Sequence, residues 1–341
     1  MVRAYCPGRV NLIGDHTDYN AGLAMPMAID LGTVVSFEPD GTLRVVLRSA
    51  GEPEPADIDL HVPVDPDYLG RLAPRWARLV AAVVGVVRPV SGGRGTVETT
   101  LPVGAGLASS AALEVAVALA LGFEAEPLVM ARACQRAEQA ATGVPSGLMD
   151  QLAVSAAAEG HALLIDFGAL TTRHVPVPPG AEVVVVHSGV SRALARSAYA
   201  ARRSECEAAA RGLGTLGQLE PEAILGVPDP ALRRRARHVV TECDRVRWFA
   251  EAMAGGDLRE AGRLMTASHW SLARDFEVST AELDALVEHL VATPGVHGAR
   301  LTGAGFGGCA VALCDPGAVD LTVFPAGAWR VRPSAAATVL R

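Results

Sequence analysis

The chain has 341 residues, 50% of them hydrophobic, and a net charge of −7. That length suits two domains of ordinary size with a substantial core; the acidic balance, without a basic stripe interleaved with aromatics, argues against nucleic acid as a partner. Lysine is absent and all 30 basic residues are arginine, which excludes a Walker-A loop, lysine Schiff-base chemistry and a protein-kinase catalytic lysine.

The N-terminus, MVRAYCPGRVNLIGDHTD, has no signal-peptide core. Six cysteines, at positions 6, 134, 206, 243, 309 and 314, form no CxxC pair, so free thiols in a reduced, cytoplasmic setting are expected. The apolar run 79–87, bounded by Arg78 and Arg88, spans 9 residues. It is too short for a bilayer and suits a buried helix.

Residues 4–20, AYCPGRVNLIGDHTDYN, set Arg9 in a short strand-like segment, an unusual place for a long charged side chain. Asp15, His16 and Asp18 follow Gly14 on a loop. They read either as a self-bonded turn or as polar groups aimed at a polyhydroxylated ligand. Apolar strands with a break at Pro26 are predicted over 23–37, an exposed antiparallel pair over 41–62, and a helix carrying Trp76 over 71–87. Trp76 is either core or a ligand platform.

Residues 96–101, TVETTL, read as a strand. Gly104 and Gly106 then precede an apolar helical run that starts at Ser109 and Ser110. Strand, glycine loop and helix build an anion site, because close backbone amides and the first helical turn present unpaired N–H donors. A tight turn entering a core helix explains the same stretch. A helix over 127–141 follows, with Arg132, Gln135, Arg136 and Gln139 expected to face solvent. Glu138 on this helix is either solvated or functional. The loop at 143–147 leads into a helix from Leu148, with Asp150 in its first turn. There Asp150 either complements the helix dipole or serves as a partly buried general base.

Strands are predicted at 162–167 and 182–187, and PVPPG places a domain boundary near residue 180, giving domains 1–180 and 181–341. An arginine-rich helix over 191–212 carries Tyr199, and three more helices span roughly 230–254, 257–274 and 279–292. Residues 298–313, GARLTGAGFGGCAVAL, read as strand, glycine loop, strand. The loop is either a tight hairpin or a cover over the first glycine loop's ligand.

Three segments in order resemble one family, the GHMP small-molecule kinases, and within them the galactokinases. PGRVNLIGDHTDYNAG resembles the sugar signature, PVGAGLASSAALE the ATP loop and LTGAGFGGC the third motif; MDQ at 149–151 and SAYAARRSECE at 197–207 match as well. The resemblance implies an α/β fold of two lobes (two-layer α+β) with the active site between them. It implies an ATP-dependent sugar-1-kinase, with ATP and Mg²⁺ as cofactors, acting on galactose as a monomer with no membrane partner. Asp150 would take the proton from the anomeric hydroxyl, with Arg9 close by balancing charge. Ser110 and Glu138 would hold Mg²⁺. Gly104, Ala105, Gly106, Leu107, Ala108, Ser109 and Ser110 would bind the phosphates, and Trp76 would lie near adenine. Asp15, His16, Asp18, Gly147 and Tyr199 would line the sugar pocket.

Three positions depart from the family pattern. Asp15 stands where galactokinases have Glu, Ala108 stands where the loop usually has a serine, and the region 315–341 is short, lacking most of a helix usual there. The first keeps other sugars in view, an amino sugar or a uronic acid. A non-catalytic sugar/ATP sensor is the rival from another class; an intact base, arginine and metal pair favours the enzyme. The DHTD segment disfavours homoserine or mevalonate.

Overall fold

Alternating and β-branched runs in the first hundred residues form strands, and alanine- and leucine-rich runs form helices over them. The computed structural model describes residues 1–102, 104–190 and 195–340. The first part comprises β1 (Val2–Asn11), β2 (Leu23–Ala24), β3 (Pro26–Pro39), β4 (Arg44–Ser49), β5 (Ala56–Asp59), α1 (Pro66–Arg71), α2 (Ala77–Val87) and β6 (Gly93–Thr99). Then come α3 (Ser109–Ala120), α4 (Pro127–Thr142), α5 (Met149–Ser155), β7 (His161–Asp166) and β8 (Thr171–Pro176). The remainder comprises β9 (Glu182–His187), α6 (Ala195–Ala209), α7 (Pro230–Gly255), α8 (Leu258–Arg274), α9 (Ala281–Ala292), β10 (Val296–Thr302), β11 (Cys309–Cys314), β12 (Ala328–Val331) and β13 (Thr338–Leu340).

Among the described residues three sheets result, with strand orders β13-β1-β3-β6-β4-β5, β10-β11-β9-β12 and β2-β7-β8, and their pairings are antiparallel except β4 with β6. Sheet membership changes between β8 and β9, but β13 returns to pair with β1. One apolar cluster also runs from Ala4 through α2 and α3 to Phe249, Met265 and Val311. The two halves therefore share a core.

The expected helix over 71–87 is divided. Pro74, which lacks an N–H and restricts Ala73, separates α1 from α2. Of the predicted helix over 191–212, residues 191–194 lie outside the described residues, and α6 spans Ala195–Ala209. The short C-terminal region supplies strands, with β12 pairing β9 and β13 pairing β1. All six cysteines are buried and none forms a disulfide. Among the described residues no helix is long and apolar enough to cross a membrane.

Candidate active site

The β1–β3 register slips between Pro7, paired with Gly32, and Gly8, paired with Ile29. Such slips re-aim the side chains that follow. The next residue is Arg9, only 4% exposed. Its backbone N–H donates to the Leu107 carbonyl at 3.1 Å. Its guanidinium grips Asp150 with two bonds, Nε to Oδ1 at 2.8 Å and Nη2 to Oδ2 at 2.6 Å. Nη1 donates to the Gly106 carbonyl at 2.6 Å. One arginine thus joins strand, glycine loop and Asp150, and a bidentate fork fixes the carboxylate plane. The Asp150 side chain keeps 29% of its surface exposed, on the cavity side of this pair.

The glycine loop curls into the N-terminus of α3. Gly104 and Gly106 both sit at φ +81°, open to glycine and costly to other residues, and Ala108 accepts the left-handed region at φ 58° as the helix N-cap. No side chain caps the helix, so its first amides stay available to an anion. In the first turn of α3, Ser110 Oγ donates to Glu138 Oε1 at 2.9 Å. Glu138 Oε2 accepts from Ser146 Oγ at 2.8 Å and from Gln151 Nε2 at 3.1 Å. Gln135 and Gln139 do not simply face solvent as expected. Both Nε2 groups donate to the Ser146 carbonyl, at 3.1 and 2.8 Å, and so pin the 143–147 loop to α4.

Opposite this loop stands the 15–18 turn. Asp15 is 2% exposed. Its Oδ2 accepts from Arg300 Nη2 at 2.6 Å and its Oδ1 from the Gly303 amide at 3.1 Å. Burial raises the Asp15 carboxyl above its usual range, and the Arg300 charge opposes that. His16 sits at φ 64°. Its Nε2 faces the Ala304 carbonyl at 3.2 Å and its Nδ1 faces the Tyr19 hydroxyl at 2.8 Å. A carbonyl only accepts, so Nε2 carries the proton and Nδ1 accepts from Tyr19. Burial lowers the His16 pKa to about 3, leaving the ring neutral. Burial first, and the nearby Asp150 charge second, raise the Asp18 carboxyl to about 6. A Cβ on Gly147 would lie 1.5 Å from Asp18 Oδ2, so only glycine fits beside that carboxylate as it stands. Tyr199 packs on His16 and Tyr19, both at centroid distances of 5.5 Å.

These groups line a single cavity of about 400 Å³, within the range of small-molecule sites. Arg9, Asp150, Gly104, Gly106, Ala108, Ser109, Ser110 and Glu138 form one part of its wall; Asp15, His16, Asp18, Gly147, Tyr199, Gly303 and Ala304 form another. Three residues expected at the site lie off this wall. Ala105 and Leu107 are buried in the core, and Trp76 packs against that core while its Nε1 donates to the Glu54 carbonyl at 3.1 Å.

The comparisons with known proteins agree with this layout. The galactokinase galactose-binding signature matches residues 2–39, the GHMP kinase N-terminal domain residues 74–157 and the GHMP kinase C-terminal domain residues 249–322. Human galactokinase is 44% identical over 326 residues, 92% of this chain and 83% of its own length. Galactokinase of Mycobacterium tuberculosis is 43% identical over 321 residues, 90% of this chain and 87% of its own. Among solved structures, Lactococcus lactis galactokinase complexed with galactose superposes with a TM-score of 0.90 at 30% identity, covering 99% of this chain and 95% of that one. This chain belongs to the galactokinase family of GHMP kinases.

Membership in the galactokinase family implies ATP, and the cavity offers what a divalent cation with ATP needs. Glu138 and Ser110 present hard oxygen donors on one wall. Magnesium keeps several waters and phosphate oxygens and asks the protein for only one or two ligands. No cluster of three or more His, Cys, Asp or Glu forms among the described residues. The chemistry of the Ser110 and Glu138 oxygens, side by side on the cavity wall, is compatible with such a cation.

The third glycine motif is the β10–β11 turn, and it reaches the cavity beside the sugar signature rather than over the first loop, through Gly303 and Ala304. Sequence reasoning missed Ser146, the bridging Gln151, Glu114 and Arg300. Glu114 is fully buried on α3 and accepts from Gln151 Nε2 at 3.1 Å. Burial, then the Glu138 charge, raises its carboxyl well above the usual range. A lone acid in the apolar run SSAALEVAVALAL, and a lone arginine in GARLTG, were the available signals.

Proposed function

We propose that this chain transfers the γ-phosphoryl group of ATP to the anomeric hydroxyl of galactose, giving galactose 1-phosphate and ADP. One observation carries the reading: Asp150, held in a fixed plane by Arg9, faces the same cavity as the glycine loop and the 15–18 turn. Asp150 accepts the hydroxyl proton as the sugar oxygen bonds to the γ-phosphorus. The bond from phosphorus to the bridging oxygen breaks and its electrons leave with ADP. Arg9 stays beside the transfer, and the amides of the loop and of α3 take the phosphate charge. Glu138 and Ser110 would hold the divalent cation, which supplies charge neutralisation at the phosphates. Asp15, Asp18, Gly147 and Tyr199 form the sugar side, and Trp76 stands as the proposed adenine neighbour at the edge of α2. The division into 1–180 and 181–341 follows the change of sheet after β8, although β13 and one shared core cross it, and a reduced compartment is supported by six buried cysteines outside any disulfide.

A panel of hexoses, amino sugars and uronic acids with ADP release as readout tests this. Galactose is expected to lead, with the phosphate on the anomeric oxygen by phosphorus NMR. ADP release no greater with galactose than with buffer would overturn the reading. Galactose binding without turnover would leave the sensor.

A further inference from the structure

Arg300 lies on β10, far in sequence from the sugar signature, and is fully buried. It is absent from the cavity wall, so it does not touch what the cavity binds. Its Nη2 donates to Asp15 Oδ2 at 2.6 Å, while Nη1 makes a longer bond, 3.3 Å, to the Asn11 carbonyl. Its Nε has no hydrogen-bond partner among the described residues. Burying a guanidinium is costly unless a counter-charge and good hydrogen bonds offset it. The buried Glu242 adds a nearby negative charge, but among the described residues a single carboxylate is hydrogen-bonded to the guanidinium. That carboxylate belongs to Asp15, which does line the cavity.

The surroundings of Asp15 explain the arrangement. A carboxylate has about four acceptor sites. Arg300 takes one on Oδ2 and the Gly303 amide takes one on Oδ1. His238 Nε2 meets the Asp15 carbonyl at 3.1 Å, and Glu242 Oε1 accepts the Gly14 amide at 3.0 Å, so the backbone is held as well. The Asn11 side chain also acts on this carboxylate; the lone pairs of Asp15 left over face the ligand, and Arg300 fixes where they point.

We propose that Arg300 is a positioning residue that sets sugar choice: through Asp15 it holds an acceptor ready for one hydroxyl of a neutral hexose. A sugar bearing a carboxylate there would set an anion against Asp15. This rests on the galactose reading above.

Arg300→Met and Arg300→Lys are to be compared with wild type for galactose Kd without nucleotide, KM for galactose and for ATP, and kcat. Each monodeoxy galactose is to be run beside galactose. In wild type, one monodeoxy sugar is expected to bind about 10–100-fold worse than galactose, the worth of a charge-assisted hydrogen bond. In Arg300→Met that gap should close to within about threefold and the KM for galactose should rise about tenfold or more, while KM for ATP and kcat at saturating sugar stay within about threefold. Arg300→Lys should fall between. A purely structural role would move both KM values and the folded fraction together and leave the deoxy-sugar gap open.

Removing Arg300 alone leaves a buried charge and can unfold the chain. The double variant D15N/R300M removes both charges and keeps the test available. If Arg300 acts through Asp15, R300M has no further effect on galactose Kd in the D15N background. An equal loss in both backgrounds, or a folded R300M that keeps the wild-type galactose KM and deoxy-sugar gap, would overturn the proposal while leaving the kinase reading intact. Wild type that neither binds nor phosphorylates galactose overturns both.

Discussion

The proposed phosphate and sugar sides of the cavity are built differently. The phosphate side is local: the glycine loop, α3, α4 and α5 all fall between residues 104 and 155, and its polar contacts span short separations, Ser110 to Glu138 and Ser146 to Glu138. The sugar side is assembled across the chain. The 14–16 turn is held by Glu242, His238, Arg300 and Gly303, more than 220 residues away, and these partners are buried. Phosphates ask for amides and positive potential, which one loop and one helix end supply. A sugar asks for particular acceptors at particular places, and those need rigid support behind them. Arg9 joins the sides: it stands on β1, just before the 15–18 turn, and its guanidinium reaches across to the glycine loop and Asp150.

The largest effect is expected where the sides meet. Asp150→Asn keeps the shape but loses the carboxylate, so kcat should fall by about 10²–10⁴-fold while the fold survives. A variant retaining more than half of wild-type kcat would remove Asp150 from the role of base. The next effect separates the sides. Ser110→Ala and Glu138→Ala should each raise the Mg²⁺ needed for half-maximal activity by about 10–100-fold, taking the scale of perturbed metal sites. Galactose binding without nucleotide should not change. An unchanged Mg²⁺ requirement in both variants would refute the pair. A third change touches only the sugar side. Gly147→Ala places a Cβ where Asp18 Oδ2 now lies, so the carboxylate must move, and the KM for galactose should rise about tenfold with KM for ATP unchanged. Equal rises in both KM values would mean that the whole loop shifted, and the division of the cavity would fail at this point.

The same contrast governs what the sequence made legible. The frame of the glycine loop was readable because strand, glycines and helix are contiguous, and periodicity placed Ser110, Glu138 and Asp150 on helices; the roles proposed for Ser110 and Glu138 came from the family resemblance alone. Arg9 was readable as a misfit in an apolar strand. The sugar turn could be located, but its support could not. Nothing local says that Arg300 in GARLTG meets Asp15, since that pairing follows from how β10 packs beside β1. His16 was read either as part of a self-bonded turn or as a pocket group; both ring nitrogens have protein partners, and the residue lines the cavity. Trp76 was placed on a continuous helix, which Pro74 interrupts. Alternating and 3.6-residue periods placed individual strands and helices, while the fold class came from the family resemblance; the return of β13 to β1 was not legible, because three residues carry no period.

The smallest effect concerns protons, and it marks the sugar side alone. Asp18 titrates at about 6, raised first by burial and then by the Asp150 charge. Its folded value lies above its unfolded one, so between about pH 4 and 6 the folded chain binds more protons than the unfolded chain. This group's contribution to stability therefore declines as pH rises through that window and is level above it. Sugar binding runs the other way. A protonated Asp18 loses acceptor capacity toward a hydroxyl, so galactose affinity should fall about twofold at pH 6 and about tenfold at pH 5, following the ionised fraction. His16, held neutral by its pKa of about 3, adds nothing in this range. Binding of ATP in the absence of sugar should not follow the Asp18 limb. Two variants sharpen the test. Asp18→Asn should flatten the dependence of galactose Kd on pH between 5 and 7.5. Asp150→Asn removes the second cause of the shift and should move the limb to lower pH. Calorimetry of wild type offers an independent sign: below pH 6, galactose binding should release protons, since the bound sugar favours the ionised carboxylate. A Kd that stays level from pH 5 to 7.5, or a limb that survives in Asp18→Asn, would show that Asp18 does not accept from the sugar, and the acceptor role would pass to Asp15 alone.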